Sequence, residues 1–600
     1  MKHGFAFGDH IKTEKFKRRK HEEDEKPLRT RWYLFPALLV IVGGVLFFNL
    51  FAVQIIQGSY YQGLSDSNRI RTQIIHAPRG VIFDRNGNPL VYNTPGFRLL
   101  QNCKPQDPAL CKSTHMTRDE ALPLLAKADK HVEVDSLREY PYKEALSHVL
   151  GYIGQVSAEQ LKSGEYEGYQ GGDWVGKSGI EQQYEQMLRG QDGKQLIEVN
   201  AMGEKVRALG ETDPIPGQDI TLTIDAKLQE ATYKAAKNIK NGAIVVTKPD
   251  GEILAMVSKP SFDDNLFTQD PGYKAATESG YTTISSIIGD GNNQPLLNRA
   301  IGGVYPPGST FKIISAAAGL QDKIIDENYK VEDTGILNVG DFSFANWYYT
   351  EYGKKEPEPL NVVTALSRSN DIFFYKLAEK IGVDKLSTVA DKMGVGEDLG
   401  IDIPGESSGV LPTRAWKKKF MKEDWYLGDT YHYGIGQGYL LTTPLQVNAW
   451  TQVVANGGTL YQPHFIKSQA PIVKNTNVLN QKTIDLVRQG MIASCNTGGV
   501  AWPFFNYKVK NAALQIDGKD ITQTASASAD MRNVAVACKT GTAQHGGEDT
   551  LPHAWITLFA PATNPQIVVT VLNESSGEGS NEAGPIAKEI VDAYFSNLKN

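Results

Sequence analysis

The sequence predicts an α+β chain with one membrane-spanning helix near its N-terminus. Three features lead to this prediction: a long apolar run at residues 32–56, strand-like segments at both ends of residues 218–600, and helical apolar spacing between those ends. The chain has 600 residues, more than a single core holds, which indicates two or three domains with appendages. The boundaries that follow are 1–31, 32–56, 57–217 and 218–600.

The apolar run is predicted to anchor the chain in a membrane. From residue 33 onward it has only Asn49 and Gln54 as clear polar interruptions, and it exceeds the roughly 20 residues that a spanning helix needs. The tail of residues 1–31 is rich in lysine and arginine, so the positive-inside rule predicts a cytoplasmic N-terminus and an exported remainder. A cleaved signal peptide is the alternative, although no A-x-A-like cleavage site follows the run.

The two exported segments differ in pattern. Residues 57–217 are mixed and polar, with strand-like pieces such as 80–83 and helical pieces such as 180–188, and they contain no paired-glutamate motif of a glycosyltransferase. In the last segment, a Lys-Pro-Asp-Gly turn at 248–251 joins two strand-like runs in a predicted β-hairpin. The two runs are 243–247 and 252–258. Later strand-like runs are 534–538, 554–560 and 566–572, and a helical segment follows at 585–598. We expect the hairpin and the late strands to form one antiparallel sheet with helices packed on it, and residues 264–294 to form a loop.

A candidate nucleophile lies at Ser309. The segment Pro-Pro-Gly-Ser-Thr-Phe-Lys at 306–312 runs from a turn into an apolar helical stretch, which places Ser309 and Lys312 one turn apart at a helix start. A serine hydroxyl attacks poorly at neutral pH unless a base lies within hydrogen-bond reach, and a desolvated, neutral lysine is such a base. The S-x-x-K pattern alone is common and more often marks a capped helix start.

Two further motifs strengthen this assignment. Ser-Asn-Asp at 369–371 lies in a segment with helical apolar spacing, and Lys-Thr-Gly-Thr at 539–542 follows an apolar, strand-like run. An S-x-x-K helix, an S-D-N-like segment and a K-T-G strand in this order form the motif set of penicillin-binding proteins and serine β-lactamases. Each motif is weak alone, and the three together are strong.

The chain resembles a class B penicillin-binding protein, a membrane-anchored peptidoglycan D,D-transpeptidase, over nearly its whole length beyond the tail. Besides the three motifs, the likeness rests on residues 77–87, 176–185, 242–246, 434–438 and 553–555. It implies that 57–217 is a pedestal domain and that 218–600 is a penicillin-binding transpeptidase domain. The ending at 571–587 resembles the elongation, shape-determining type, penicillin-binding protein 2.

The resemblance also implies a serine acyl-enzyme mechanism on the D-Ala-D-Ala end of a stem peptide. Ser309 attacks the penultimate carbonyl, and the backbone N–H groups of Ser309 and Thr542 stabilise the oxyanion. Lys312 is the base, Ser369 relays a proton to the leaving amine, Lys539 supplies positive potential, and the threonine hydroxyls bind the terminal carboxylate. The implied catalytic residues are Ser309, Lys312, Ser369 and Lys539, and the implied substrate-binding residues are Asp371, Thr540, Gly541 and Thr542.

The sequence departs from the family pattern at two positions. Asp371 stands where many relatives have asparagine, which adds a negative charge near two lysines and favours their ammonium forms. Cys538 stands where relatives usually have glycine before K-T-G, and we expect it to face the core as a small apolar residue. Among the four cysteines, Cys103 and Cys111 lie close enough in sequence to close a small ring, which stays open, whereas a Cys495–Cys538 bridge is not favoured.

The implied partners are stem peptides, β-lactams as covalent inhibitors, a membrane glycosyltransferase of the SEDS type and cell-shape proteins. No cofactor and no metal site are expected, because the cysteines and histidines lack zinc-ligand spacing. Nucleic acid is not an expected partner, since the net charge is -6 and no basic stripe follows the tail. A division-specific transpeptidase, a non-turnover scaffold or sensor, and a β-lactamase are the alternatives to an elongation enzyme.

Overall fold

The computed structural model describes residues 32–101, 111–126, 131–200, 205–269, 272–510, 531–547 and 549–597. These residues divide into two compact units. The first is drawn from Met1–Thr72 and Leu196–Gly210, and the second from Gln73–Gln195 and Glu211–Asn600. The predicted α+β class is confirmed.

The first unit contains the predicted anchor. The apolar run forms an α-helix at Leu34–Phe51 that continues as a π-helix at Ala52–Ile56, and its large apolar side chains are exposed along the helix. Among the described residues it is the only helix long and apolar enough to cross a membrane. The prediction of one apolar N-terminal helix is therefore confirmed, while the basic tail, 1–31, lies outside the described residues. A second helix, Gly58–Arg69, follows.

The anchor-proximal strands form small sheets. One sheet has three strands, Ile70–Ile75, Gly193–Val199 and Lys205–Thr212. A second sheet has five strands, Ile82–Phe83, Pro89–Gln101, Lys112–Met116, Val132–Glu139 and Ile220–Thr221. The strands Ile153–Gln155 and Trp174–Gly176 form a separate pair. The helices among them are short: Arg118–Ala126, Ser147–Leu150, Ala158–Ser163, Gly179–Gln183 and Glu185–Leu188. The mixed character predicted for this part of the chain is thus confirmed.

A buried network of charges joins the two pedestal-like motifs of the sequence. Arg79 donates to Glu181 at 2.9 Å and forms an ion pair with Glu185 at 2.7 Å, and Arg138 pairs with Glu181 at 2.7 Å. Glu185 also accepts a hydrogen bond from the Gly176 N–H at 2.7 Å. All four charged residues are at most 9% exposed. Their ion pairs and hydrogen bonds therefore offset the free-energy cost of removing these charges from water.

The C-terminal part is built on a five-stranded antiparallel sheet. Its spatial order is Ile253–Lys259, Gly242–Thr247, Ile567–Asn573, His553–Ala560 and Ala537–Ala543. The early hairpin therefore lies beside the late strands, as the sequence predicted. The strand Ala537–Ala543, called the Lys539 strand below, forms one edge of this sheet.

Two hydrophobic clusters cover opposite faces of this sheet. Val245 and Trp555 belong to the first cluster and their neighbours Val246 and Ile556 to the second, because successive strand residues point to opposite faces. The helices of the part are Ala226–Ala235, Asn265–Thr268, Ile284–Gly289, Lys312–Gln321, Trp347–Tyr352, Val362–Arg368, Asp371–Ile381, Val383–Lys392, Arg414–Phe420, Leu427–Gly434, Pro444–Ala455, Gln481–Ser494 and Gly584–Asn597. Short strand pairs are Ile336–Val339 with Phe342–Ala345, Leu460–Tyr461 with Val473–Asn475, and Lys508–Lys510 with Met531–Asn533. The expected loop at 264–294 contains two of these helices.

The cysteine prediction was wrong for the second pair. Cys495 and Cys538 form a disulfide with a Cα–Cα distance of 5.8 Å. Their separation of 43 residues gave no local signal, and the fold brings them together where the helix Gln481–Ser494 packs against the Lys539 strand. Cys538 is fully buried, as expected, although as half of a disulfide. The other pair involves Cys103, which lies outside the described residues.

Candidate active site

Ser309 lies in a tight turn that is fixed on two sides. A 3-10 helix at Gly308–Phe311 carries it, and the α-helix Lys312–Gln321 follows directly. The Gly308 N–H donates to the Gly436 carbonyl at 2.9 Å, and the Trp555 indole donates to the Pro306 carbonyl at 3.1 Å. The turn thus lies between the sheet and the 434–438 segment, one of the segments on which the family likeness rests.

Glycine is required at position 308. Its φ of +53° lies in the left-handed region, and an added Cβ would lie 3.0 Å from the Thr542 carbonyl oxygen. Gly541 is constrained in the same way from the other side, since its Cβ would lie 3.0 Å from the Pro307 carbonyl oxygen. The two glycines allow the Ser309 turn to approach the Lys539 strand closely.

Lys312 is completely buried behind Ser309. Its Nζ donates to Asp371 Oδ1 at 2.6 Å and to the Ser369 carbonyl at 2.8 Å, and it lies 3.4 Å from Ser369 Oγ. Burial lowers the pKa of Lys312, while the charge and hydrogen bond of Asp371 oppose that change. Burial therefore favours the neutral form of Lys312, and Asp371 favours its charged form.

The 369–371 motif forms the junction between two helices. Ser369 caps the C-terminus of Val362–Arg368 with a left-handed φ of +52°, and Asn370 caps the N-terminus of the next helix by accepting from the Phe373 N–H at 2.9 Å. Asparagine is a favoured N-cap because its side-chain oxygen satisfies a free backbone donor. The sequence predicted a helical location for this motif, whereas the structure puts Ser369 and Asn370 in the connection and only Asp371 in a helix.

Asp371 is held by residues that the sequence reasoning missed. Its Oδ2 accepts from the Trp347 N–H at 2.9 Å, and its own N–H donates to Asn346 Oδ1 at 3.1 Å. Asp333 Oδ2 accepts from the side-chain amides of Asn346 at 2.9 Å and Asn370 at 3.0 Å. Asn346 precedes the helix Trp347–Tyr352, so its only sequence signal was that of a helix cap, a bond that it does not make here.

Lys539 approaches Ser369 from the strand. Its Nζ is fully buried and donates to Ser369 Oγ at 2.8 Å and to the Thr540 carbonyl at 2.9 Å. Burial, and next the Lys312 charge, hold the pKa of Lys539 well below its usual range, with Asp371 opposing them. Both lysines therefore contact the Ser369 hydroxyl, and Lys312 also contacts the Asp371 carboxylate.

The remaining predicted residues lie along the Lys539 strand. Thr540 is 6% exposed, whereas Thr542 is exposed and its Oγ1 lies 3.4 Å from the Gly579 N–H. The structure thus brings together Lys312, Ser369, Asp371 and Lys539 by direct contacts, with the Ser309 turn against Gly541 and Thr542. The exposed hydroxyl of Thr542 is open to an incoming molecule, and the hydroxyl of Thr540 is nearly enclosed.

Comparisons with known proteins agree with this arrangement. The penicillin binding protein transpeptidase domain matches residues 242–592, and the penicillin-binding protein dimerisation domain matches residues 130–222. The peptidoglycan D,D-transpeptidase MrdA of Escherichia coli strain K12 is 32% identical over 614 residues, covering 92% of each chain.

Solved structures resemble most of the chain as well. Penicillin-binding protein PBP2 of Helicobacter pylori, in complex with MreC, matches with a TM-score of 0.69 and 29% identity over 87% of this chain and 98% of that one. A chain of a peptidoglycan synthase complex, described as coordinating polymerization and crosslinking, matches with a TM-score of 0.68 and 27% identity over 95% of this chain and 99% of that one.

Proposed function

Because the chain belongs to the penicillin-binding protein transpeptidase family, we propose that it is a peptidoglycan D,D-transpeptidase of the elongation, PBP2 type. The observation that carries this proposal is the convergence of Lys312 and Lys539 on Ser369 beside the Ser309 turn. The match to MrdA over most of both chains supports the elongation role over a division-specific one.

The proposed reaction is acyl transfer through Ser309. The hydroxyl attacks the penultimate D-Ala carbonyl, the terminal D-Ala leaves, and an amine of a neighbouring stem peptide then resolves the ester. The backbone N–H groups of Ser309 and Thr542 are our assignment for the oxyanion donors, and the approach of the turn to the Lys539 strand supports it. The exposed Thr542 hydroxyl, with Thr540, is assigned to the terminal carboxylate.

The two lysines have different roles in the proposed proton transfers. The Asp371 carboxylate favours a charged Lys312, and the pKa of Lys539 is the more strongly lowered of the two. A substrate carboxylate near Thr542 adds negative charge beside the strand and favours the ammonium form of Lys539. A proton passing from Lys312 to Lys539 through Ser369 Oγ then leaves Lys312 neutral, as a base for Ser309.

The apolar helix Leu34–Ile56 suits a single-pass anchor, and the basic tail supports a cytoplasmic N-terminus with an exported catalytic part. We assign a SEDS-type glycosyltransferase and cell-shape proteins as partners. Support comes from the two similar structures, one of which is a complex with MreC and the other a peptidoglycan synthase complex. Localising a tagged chain to the side wall rather than the septum tests the elongation role.

Intact mass after penicillin treatment tests the nucleophile. Wild type should gain one penicillin adduct and Ser309→Ala none. Ser315→Ala is the matched control, because Ser315 lies on the helix that follows and donates to the Gly434 carbonyl at 2.7 Å. An adduct that persists in Ser309→Ala overturns the assignment. A stem-peptide cross-linking assay then separates a transpeptidase from a scaffold that binds penicillin without turnover.

A further inference from the structure

The Cys495–Cys538 disulfide lies directly behind the candidate active site. Cys538 immediately precedes Lys539 and is fully buried, and Cys495 caps the C-terminus of helix Gln481–Ser494 with 2% exposure. The Cα–Cα distance of 5.8 Å lies within the usual span of a disulfide. The bond therefore joins the strand that carries Lys539 to the C-terminal end of the helix Gln481–Ser494.

The strand end of this link needs a fixed position. In the described sheet the Lys539 strand pairs only with His553–Ala560, so a single ladder of backbone hydrogen bonds holds it. Lys539 points towards Ser369, and the neighbouring Cys538 belongs to the second cluster, on the other face of the strand. The disulfide thus restrains the strand from the face opposite its lysine.

The helix end leads back to Ser369. Helix Gln481–Ser494 packs against helix Val362–Arg368 so closely that a Cβ on Gly490 would lie 2.7 Å from the Leu366 Cβ. The guanidinium of Arg368 donates to the Gly498 carbonyl at 3.0 Å, just past Cys495. Ser369 directly follows the helix Val362–Arg368. The disulfide and these helix contacts therefore connect the Lys539 strand to Ser369 by a second route, in addition to the hydrogen bond between Lys539 and Ser369.

We propose that the Cys495–Cys538 disulfide is a positioning element that holds Lys539 against Ser369 during acylation. The inference rests on the proposed transpeptidase function. Forming the bond removes two protons and two electrons from the two thiols, and an exported disulfide-bearing oxidoreductase accepts them and becomes a dithiol. Both sulfurs are then enclosed in the second cluster, so the bond persists in the folded enzyme.

The test compares penicillin acylation of full-length variants in detergent. Cys495→Ala/Cys538→Val breaks the bond while a β-branched residue keeps the strand filled. Leu254→Ala is the matched control, because Leu254 is buried in the second cluster on the opposite edge of the sheet and its truncation also destabilises. At a temperature where all three proteins are folded, we expect the acylation rate constant at saturating penicillin to fall at least about tenfold only in the double variant. This threshold is below the roughly 10²–10⁴-fold that general acid–base catalysis contributes, because the variant displaces Lys539 and does not remove it.

The outcomes separate the two claims. An unchanged dissociation constant for the non-covalent penicillin complex, with a lower rate constant, supports positioning of Lys539. A wild-type rate constant in the double variant, an equal loss in Leu254→Ala, or two free thiols in active wild type overturns the inference while Ser309 acylation stands. If the double variant does not fold, Cys495→Ala alone breaks the bond with Cys538 left in place. Absence of acylation in wild type refutes the proposed function instead.

Discussion

Replacing Asp371 by asparagine should make the acylation site active at lower pH. The carboxylate lies 2.6 Å from Lys312 Nζ, and this contact favours the charged form of a lysine whose pKa is lowered by burial. Asparagine has nearly the same shape and keeps one oxygen that can accept from Lys312, but its NH2 group replaces the oxygen that accepts from the Trp347 N–H, so the variant removes a charge together with that one hydrogen bond. Neutral Lys312 then forms at lower pH, and the rise of the rate with pH moves the same way.

The size of the effect follows from Coulomb's law. At an effective dielectric constant of about 20, unit charges about 4 Å apart attract each other by on the order of 4 kcal/mol. On the acidic limb the rate is proportional to the fraction of neutral base, and about 1.4 kcal/mol corresponds to a tenfold change. Even one third of the attraction therefore predicts about tenfold faster acylation of the asparagine variant at a fixed pH on that limb.

Stopped-flow acylation by a chromogenic β-lactam measures this over the range where both proteins stay folded. Asp384→Asn is the control for net charge, because it makes the same chemical change on a side chain that is 74% exposed. Its profile should coincide with that of wild type. Coinciding profiles for Asp371→Asn and wild type would refute the reasoning, since they would mean that Asp371 does not set the protonation of Lys312.

Three further predictions concern the anchor-proximal part. Burial by itself lowers the pKa of His76, yet its hydrogen bonds to Asp192 and Glu133 raise the value to about 9, so its stabilisation of about 3 kcal/mol is complete below pH 6.5 and disappears as the pH rises through 9. The difference in unfolding free energy between wild type and His76→Gln, measured with urea, should shrink over that range. Glu181→Gln leaves the buried Arg138 without its counter-charge, while Arg79 keeps Glu185, and should cost about 3–5 kcal/mol. The same change at the exposed pair partner, Asp384→Asn, should cost under about 1 kcal/mol. A chain that begins near Gly58 should be soluble and still acylated, and membrane association that survives a high-salt wash would contradict a single anchor.

Sequence patterns predicted the parts of this fold that local chemistry determines. The Lys-Pro-Asp-Gly turn and its flanking β-branched residues predicted the hairpin Gly242–Thr247 with Ile253–Lys259, because turn and strand propensities act over a few neighbours. The motif residues Lys312, Ser369 and Lys539 were identified by residue type and order, and the structure brings them into contact. The approach of the late strands to the hairpin followed from the rule that strands need partners.

The missed features depend on contacts between residues far apart in sequence. Asn346 resembles a helix cap, and only the folded chain shows that its side chain bonds Asp333 and the Asp371 N–H instead. Cysteine spacing cannot identify partners separated by 43 residues, because the pairing depends on the packing of the helix Gln481–Ser494 against the Lys539 strand. The left-handed backbone conformation of Ser369 was missed for the same reason. Serine rarely adopts it, and here the tertiary contacts of the two helices that Ser369 connects impose it.

The site holds two buried lysines but only one carboxylate in contact with them. Asp371 compensates one positive charge, so a second ammonium in the same enclosed space is unfavourable, and the charge of Lys312 lowers the pKa of Lys539 for this reason. A substrate that brings a carboxylate beside Thr542 supplies the missing negative charge, and both the donor stem peptide and penicillin carry one. Binding therefore favours the protonation of Lys539 at the moment when Lys312 must become neutral. In the proposed mechanism this coupling passes through Ser369, whose hydroxyl contacts both lysine side chains, and it requires that Lys539 keep its distance of 2.8 Å from that hydroxyl.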